Sequence, residues 1–280
     1  MEFIKPVRKE NLDEVAHFLR KSDLVYRHLD WHSPTDWLDY PAFLVLRESN
    51  RINALLSCAP EIKEAAWVRL FASKLSRNYA DDFQSLMCNA SEILMDIDVS
   101  ELACLVLNNW IEPVLIQAGF CSTMAVVTLI WTGLANSRQI YSNPDVFAPQ
   151  MMERDLGIVH KMDNRAFPPL WQNSLSSINK SYHVSSYSTI ALLNDEVVGY
   201  QISTISFDGA HIARLATRTD QKRQGIATTL LIDVITHFQE MGITKISVNT
   251  QSNNQASLNL YKKLGFSLIK DEIKVYSKLL

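Results

Sequence analysis

A short polar loop, Asp220-Gln-Lys-Arg-Gln-Gly-Ile-Ala-Thr228, leads directly into a segment with helical apolar periodicity. Backbone N–H groups at a helix start have no partner within the helix, and the helix dipole adds positive charge there. Small residues at Gly225 and Ala227 let a phosphate approach this backbone, and Lys222 and Arg223 add positive charge. The loop therefore predicts a phosphate-bearing ligand, although a glycine before a helix is equally typical of an ordinary helix cap.

A second segment places a hydroxyl group near the same site. Asn253-Asn254 is followed by Leu260-Tyr261-Lys-Lys-Leu-Gly-Phe266, a pattern that predicts a short helix ending at Gly265. The segment thus keeps one phenol hydroxyl, that of Tyr261, beside the predicted ligand. The structural alternative is a tyrosine packed against a sheet. The loop and the Asn254/Tyr261 segment together indicate a chemical site more strongly than either alone.

The elements that must position these residues are clear in the second half. Apolar residues recur at every third or fourth position from Ile226 to Met241, which predicts a long helix ending at Gly242. Asn194-Asp195 between two β-rich runs predicts a hairpin turn. The predicted elements are a hairpin over 189–203, a strand over 211–217, the long helix, a strand over 245–250, a helix over 255–264 and a closing hairpin over 266–280.

The first half repeats fragments of the second. Residues 115–120 align with residues 261–266, and residues 44–46 align with residues 190–192 at the same offset. A shared offset favours a duplicated fold over chance similarity of apolar runs.

The two copies differ where the chemistry would lie. Residues 76–81, which align with the phosphate loop, contain no glycine, and Leu115 aligns with Tyr261. We therefore predict an α/β protein with two tandem domains, each a twisted mixed β-sheet flanked by helices. Their predicted bounds are 1–135 for a degenerate copy, 136–150 for a linker and 151–280 for the catalytic copy.

Residues 185–280 resemble the Gcn5-related N-acetyltransferase (GNAT) superfamily. Lys222-Arg-Gln-Gly225-Ile-Ala227 corresponds to the family pattern Q/R-x-x-G-x-G/A, with lysine in place of the usual first residue. Residues 252–254 and 260–266 correspond to a second family motif. The first half of the chain resembles the family only faintly.

This resemblance implies that acetyl-CoA lies in a cleft between two parallel strands that splay apart. The backbone of one strand would pair with the pantetheine arm, the loop would hold the pyrophosphate, and Asn254 would contact the CoA arm. The implied cofactor-binding residues are Leu215, Ala216, Thr217, Arg223, Gln224, Gly225, Ile226, Ala227, Thr228 and Asn254.

The resemblance also implies direct acetyl transfer to an amine of either a small molecule or a protein, with Tyr261 as the acid that protonates the departing thiolate. The general base stays open. Asn249 stands where some members carry a glutamate, and His211 stands where histone-type members carry one. A histidine titrates in the range a base requires, but an exposed histidine at a strand edge is the alternative. His183, Tyr187 and a water molecule are further candidates, and Phe167-Pro-Pro-Leu-Trp171 either lines an acceptor pocket or packs as a loop.

Composition excludes several classes of protein. The chain has 280 residues, 47% of them hydrophobic and 20% charged, which is typical of globular domains rather than disorder. Neither half is basic enough for nucleic-acid binding, and no apolar run spans a bilayer. The four cysteines lack metal-ligand spacing, which indicates free thiols, no metal and a cytoplasmic protein. The alternative function is a CoA-binding sensor or scaffold without catalysis.

Overall fold

The computed structural model describes residues 2–29, 31–49, 51–133 and 142–280, which form two compact units. One unit consists of Met1–Thr123 with Ile273–Leu280, and the other of Met124–Glu272. Relative to the predicted bounds, residues 124–133 therefore lie in the second unit and residues 273–280 in the first. Residues 136–141 of the predicted linker lie outside the described residues. The assignment of separate roles to residues 1–135 and 151–280 stays a prediction.

The first unit is a mixed sheet with helices on its faces. Its elements are β1 (Glu2–Pro6), α1 (Leu12–Lys21), β2 (Leu24–Arg27), β3 (Phe43–Glu48), β4 (Arg51–Pro60), β5 (Ala65–Ser73), α2 (Tyr79–Met95), β6 (Glu101–Leu105) and α3 (Ile111–Gln117). The strand order is β1-β3-β4-β5-β6, and β2 pairs with β5. Among the described strands of this unit, β5 and β6 are the pair that runs parallel, over Ala65–Trp67. Apolar residues of both sheet faces are buried in two clusters.

The second unit has the same plan. Its elements are the end of β7 (Cys121–Trp131), β8 (Val146–Phe147), α4 (Leu156–Ala166), α5 (Leu175–Val184), β9 (Tyr187–Leu193), β10 (Glu196–Ser206), β11 (Gly209–Thr217), α6 (Ile226–Glu240), β12 (Ile246–Gln251), α7 (Gln255–Lys263) and the start of β13 (Ser267–Leu279). The strand order is β7-β12-β11-β10-β9-β8. One face packs on α6 and the other on α4 and α5.

Local sequence explains most of these elements. Asn194 and Asp195 both have positive φ, as the predicted hairpin turn between β9 and β10 requires. The apolar positions of α6, among them Leu230, Val234 and Phe238, are fully buried against the sheet.

The predicted closing hairpin over 266–280 is wrong. These residues form one strand, β13, and its last part pairs antiparallel with β6 in the first unit, from Val275↔Leu105 to Leu279↔Glu101. Asp271-Glu272 resembles a turn in sequence, but neither residue has the positive φ of a tight hairpin turn. The chain therefore continues straight where a turn was expected.

The cysteines are free thiols, with Cys58 and Cys104 buried and Cys88 and Cys121 exposed. Across the described residues, the helices are too short or too polar to cross a lipid bilayer.

Candidate active site

The site begins where two parallel strands of the second unit separate. β11 and β12 pair only from Ala210↔Ile246 to Ile212↔Val248. Beyond Ile212 no described strand pairs with this edge of β11, so the backbone of residues 213–217 faces an open cleft. Ala213 of β11 has no partner in β10, because Ile202 pairs with Arg214 and the next residue, Ser203, pairs with Ile212. Such a β-bulge bends the strand at this point. The predicted splay of the two strands is therefore present.

The cleft has a larger part of about 470 Å³ beside the helix start of α6. Every predicted cofactor-binding residue lines it: Leu215, Ala216, Thr217, Arg223, Gln224, Gly225, Ile226, Ala227, Thr228 and Asn254. Tyr261 lines it as well. The structure thus brings the strand edge, the loop and the Asn254/Tyr261 segment to one surface, and what they bind stays a prediction.

The loop leaves the start of α6 uncapped. Gly225 adopts φ 78° and, being glycine, has no side chain to cap the helix, whose first turn contains no acidic residue. The first intrahelical bond runs from Thr229 N to Gly225 O at 2.9 Å, so the preceding N–H groups have no helical partner. A Cβ at Gly225 would lie 3.2 Å from the Cβ of Asn143. Glycine is therefore required by backbone conformation and close packing, in addition to any ligand.

Tyr261 stands where the two parts of the cleft meet. Its side chain is buried, and burial raises the pKa of its phenol, so the hydroxyl stays protonated at neutral pH. The hydroxyl makes no hydrogen bond to any described residue. Tyr261 lines both parts of the cleft. Asn254 begins α7, and its Oδ1 accepts a hydrogen bond from Ser257 N at 3.2 Å.

His211 lies on β11 just before the strands separate and is not among the described residues that line the cleft. Its Nδ1 is 2.9 Å from Ser247 Oγ, and that hydroxyl donates to Ala210 O at 3.2 Å. Nδ1 is therefore the protonated nitrogen, and Nε2 is left to accept a proton. Burial lowers the pKa of His211, so the ring is neutral at pH 7.

The other predicted candidates lie elsewhere. Asn249 lines the cleft, and its Oδ1 accepts a hydrogen bond from Thr128. His183 is exposed near Glu153. Tyr187 stacks on His237 at 3.6 Å and donates to Asp233 at 2.9 Å, away from the residues that line the cleft.

A smaller part of the cleft, of about 170 Å³, extends past Tyr261. Phe167 and Trp171 line it, so the predicted acceptor-pocket interpretation of their segment agrees with their position. It shares Phe167, Leu215, Asn254, Ser257 and Tyr261 with the larger part, which makes the two parts continuous.

Sequence reasoning missed one group at this smaller part. Arg214 of β11 stacks on the Phe167 ring, with its guanidinium carbon 3.6 Å from the ring centroid. Its Nε and Nη2 donate to the two oxygens of Asp163 at 2.7 and 2.9 Å. Tyr200 donates to the same carboxylate. The signal was an arginine between the apolar pairs Ile212-Ala213 and Leu215-Ala216; its partners lie too far away in sequence to be recognised.

Comparison with known proteins agrees with this geometry. Residues 156–266 match the family model described as "Acetyltransferase (GNAT) family". The predicted resemblance to the GNAT superfamily is thus confirmed over these residues. Its GNAT region is 23% identical over 113 residues to the ribosomal protein bS18-alanine N-acetyltransferase of Escherichia coli K12, covering 40% of this chain and 75% of that protein.

Solved structures extend the likeness to both units at the level of fold. A tandem GNAT protein from the clavulanic acid biosynthesis pathway has a TM-score of 0.62 at 14% identity, covering 100% of this chain and 98% of that chain. A probable N-acyltransferase from Enterococcus faecalis V583 has a TM-score of 0.73 at 10% identity, covering 100% and 72%. The fold of both units therefore has counterparts in solved structures.

Proposed function

We propose that the second unit is an N-acetyltransferase that moves an acetyl group from acetyl-CoA to an amine, by direct transfer while both substrates are bound. One observation carries the proposal: an unpaired strand edge, an uncapped helix start and a protonated tyrosine line one cleft. These are the parts needed to hold an amide-containing arm, a pyrophosphate and a leaving thiolate.

In the first unit, the strand edge that corresponds to the open edge of β11 is hydrogen-bonded to another strand. There, β2 of the chain itself pairs with β5, from Leu24↔Ser73 to Arg27↔Leu70. By strand register, residues 70–73 of β5 correspond to residues 214–217 of β11, because each strand has its bulge just before this segment. The first unit satisfies this edge with a strand, and the second leaves it open. An extended arm with amide groups fits the open edge by the same hydrogen bonding.

The helix start supplies the anion site. The free N–H groups and dipole of α6 attract phosphate oxygens, and the exposed cations Lys222 and Arg223 lie on the loop above them. Lys263 and Arg223 also line a neighbouring depression with Asn143. The charge of the loop thus complements a pyrophosphate.

Tyr261 is the residue we assign as the acid. Its raised pKa keeps the phenol protonated at neutral pH, so the hydroxyl is able to donate a hydrogen bond to the thiolate as it departs and to stabilise its charge. The attacking amine must lose a proton, and we assign that proton to His211 Nε2 through water, since His211 lies outside the cleft wall. No step requires a metal ion or a covalent enzyme intermediate.

The second candidate function is a CoA-binding sensor or scaffold. Asn249 stands where some members of the GNAT superfamily carry a glutamate, and its Oδ1 already accepts a hydrogen bond from Thr128. A cleft without an efficient base would bind acetyl-CoA and turn it over slowly.

The deciding experiment measures thiol release from acetyl-CoA across a panel of amines. Tyr261→Phe should lower kcat by about 10²- to 10⁴-fold, with little change in acetyl-CoA affinity by calorimetry. Tyr187→Phe is the matched control, because Tyr187 lies away from the cleft, and it should retain parental kcat. Tight acetyl-CoA binding with no amine raising turnover would support the sensor instead. The same assay with longer thioesters tests acyl-chain preference.

A second measurement tests the base. The parent kcat/KM should fall toward acid pH as His211 becomes protonated, below the ordinary histidine value near pH 6.5, because burial lowers its pKa. His211→Gln should remove this acidic limb. An unchanged profile would assign proton removal to water alone.

A further inference from the structure

We propose that the amine acceptor is a small molecule that also carries a carboxylate, and that Arg214 binds this carboxylate. The inference rests on the proposed acetyl transfer and narrows its substrate class. It is drawn from the smaller part of the cleft, where Arg214 is the one charged side chain among the described lining residues.

The guanidinium is held rigidly with one edge unused. Nε and Nη2 bond to Asp163, and Nη2 also donates to Trp171 O at 2.6 Å. Nη1 makes no hydrogen bond to any described residue, and Arg214 is one of the residues that line this part of the cleft. Nη1 is therefore the nitrogen with donors left for a ligand oxygen in the cleft.

Asp163 is fully engaged in holding the arginine. Its Oδ2 accepts from Tyr200 and Arg214, and its Oδ1 accepts from Arg214 and from Asn173 N at 2.9 Å. The carboxylate is fully buried and has no capacity for a cationic ligand. The cleft thus presents a positive group and no available negative one, which disfavours polyamines and favours an anion.

The first unit shows that the fold does not need this ion pair. By strand register, Leu55 and Leu70 correspond to Tyr200 and Arg214, and the matching part of α1 carries Phe18 and Leu19. These residues pack in one apolar cluster. Replacing a buried ion pair by apolar residues is often neutral or stabilising, so its presence in the second unit calls for a role other than stability.

The size of the smaller part agrees with a small acceptor. Its volume of about 170 Å³ is close to that of a cavity that holds one benzene ring, about 150 Å³. Phe167 and Trp171 offer apolar walls, while Asn249 and Gln251 offer amide groups. An amino acid fits this combination of volume, charge and polarity.

The test compares amino acids with their own primary amides as acceptors. α-Amino acids, β-alanine and γ-aminobutyrate are each paired with the amide, which removes only the negative charge. The parent should favour the carboxylate in kcat/KM by about ten- to a hundredfold for at least one pair, the range of one charge-assisted hydrogen bond. The amine of each amide is less basic than that of the amino acid, so a larger fraction of it is neutral and able to attack at pH 7. This difference in reactivity favours the amide, which is the opposite of the expected preference.

Two variants separate binding from folding. Arg214→Leu with Asp163→Asn removes the cation while the asparagine still accepts from Tyr200, and the preference should fall to about one. Asp163→Asn alone retains the cation and should retain the preference. Because each ratio is measured within one variant, a general loss of activity cancels.

The outcomes are distinct. Turnover of amines without carboxylate preference, or equal preference in the parent and the double variant, overturns the assignment of Arg214 and leaves the acetyltransferase proposal intact. If no amine is acetylated, the proposed function fails. Binding of the carboxylates then decides whether Arg214 holds a carboxylate. Quenching of Trp171 fluorescence by the same carboxylates should then occur in the parent and be lost in the double variant; equal quenching overturns the inference.

Discussion

The two units build the same sheet around different interiors. In both, a bulged strand runs parallel to the next strand for three residues and then separates from it. In the second unit the gap is an open cleft, and in the first unit β2 fills it, with Tyr26 fully buried. The comparison teaches that the fold tolerates either a strand of its own or an open edge at this point.

The first turns of α2 in the first unit and α6 in the second unit differ in charge. The first turn of α2 contains Asp81 and Asp82, and Asp82 is paired with Arg77 at 2.7 Å. The first turn of α6 contains no acid. Carboxylates at a helix start occupy the place of an external anion. Trp110 precedes α3 where Asn254 precedes α7, and it packs near Phe71 and Tyr79.

The largest effect is expected from giving the second unit an acid of the first. Ala227→Asp places a carboxylate in the first turn of α6, which suits the helix but repels a pyrophosphate. Acetyl-CoA affinity should fall by about a thousandfold, the loss of two or so charge-assisted hydrogen bonds. Calorimetry measures it, with Ala227→Asn as the control of equal size. Equal affinity in both variants would refute the proposed phosphate position.

Emptying the filled gap of the first unit should damage stability without creating a second site. Tyr26→Ala removes a fully buried ring and should cost about 3–5 kcal/mol of unfolding free energy, seen as a lower Tm. Tyr26→Phe retains the packing and should cost much less. Calorimetry should still give one acetyl-CoA site per chain. Two sites in the parent would contradict the degenerate role of this unit.

The buried ion pair offers a smaller test of the same comparison. Asp163→Leu alone leaves Arg214 without its partner and should destabilise by about 3 kcal/mol. Asp163→Leu with Arg214→Leu and Tyr200→Phe imitates the apolar cluster of the first unit and should restore most of the parental Tm. A triple variant as unstable as the single one would show that the ion pair itself supports the second unit.

The smallest effect concerns pH and the first unit. Burial, with a contribution from Arg69, lowers the pKa of His28 well below its usual value. The unfolded chain binds this proton near pH 6.5 and the folded chain does not, so stability falls as pH drops below that value, by at most about 1.4 kcal/mol per pH unit. His28→Phe retains a ring against Trp67 and should flatten this slope in denaturant titrations. An identical slope would assign the effect to other groups.

The sequence was informative where the chemistry is local. The loop at Gly225 precedes α6 and the Asn254/Tyr261 segment spans α7, so each pattern is contained in one helix and the turn before it, and both line the cleft. Asp163 and Arg214 meet only through packing of α4 on the sheet, which no local pattern encodes. The closing hairpin was wrong for a related reason, since the partner of β13 lies far away in sequence.

The pairing of β13 with β6 also has a consequence for biosynthesis. Residues 273–280 belong to the first unit but are synthesised after the whole of the second. A ribosome therefore releases every residue of the second unit before the sheet of the first is complete. The unit whose residues emerge first therefore has to wait for residues 273–280 before its sheet is complete.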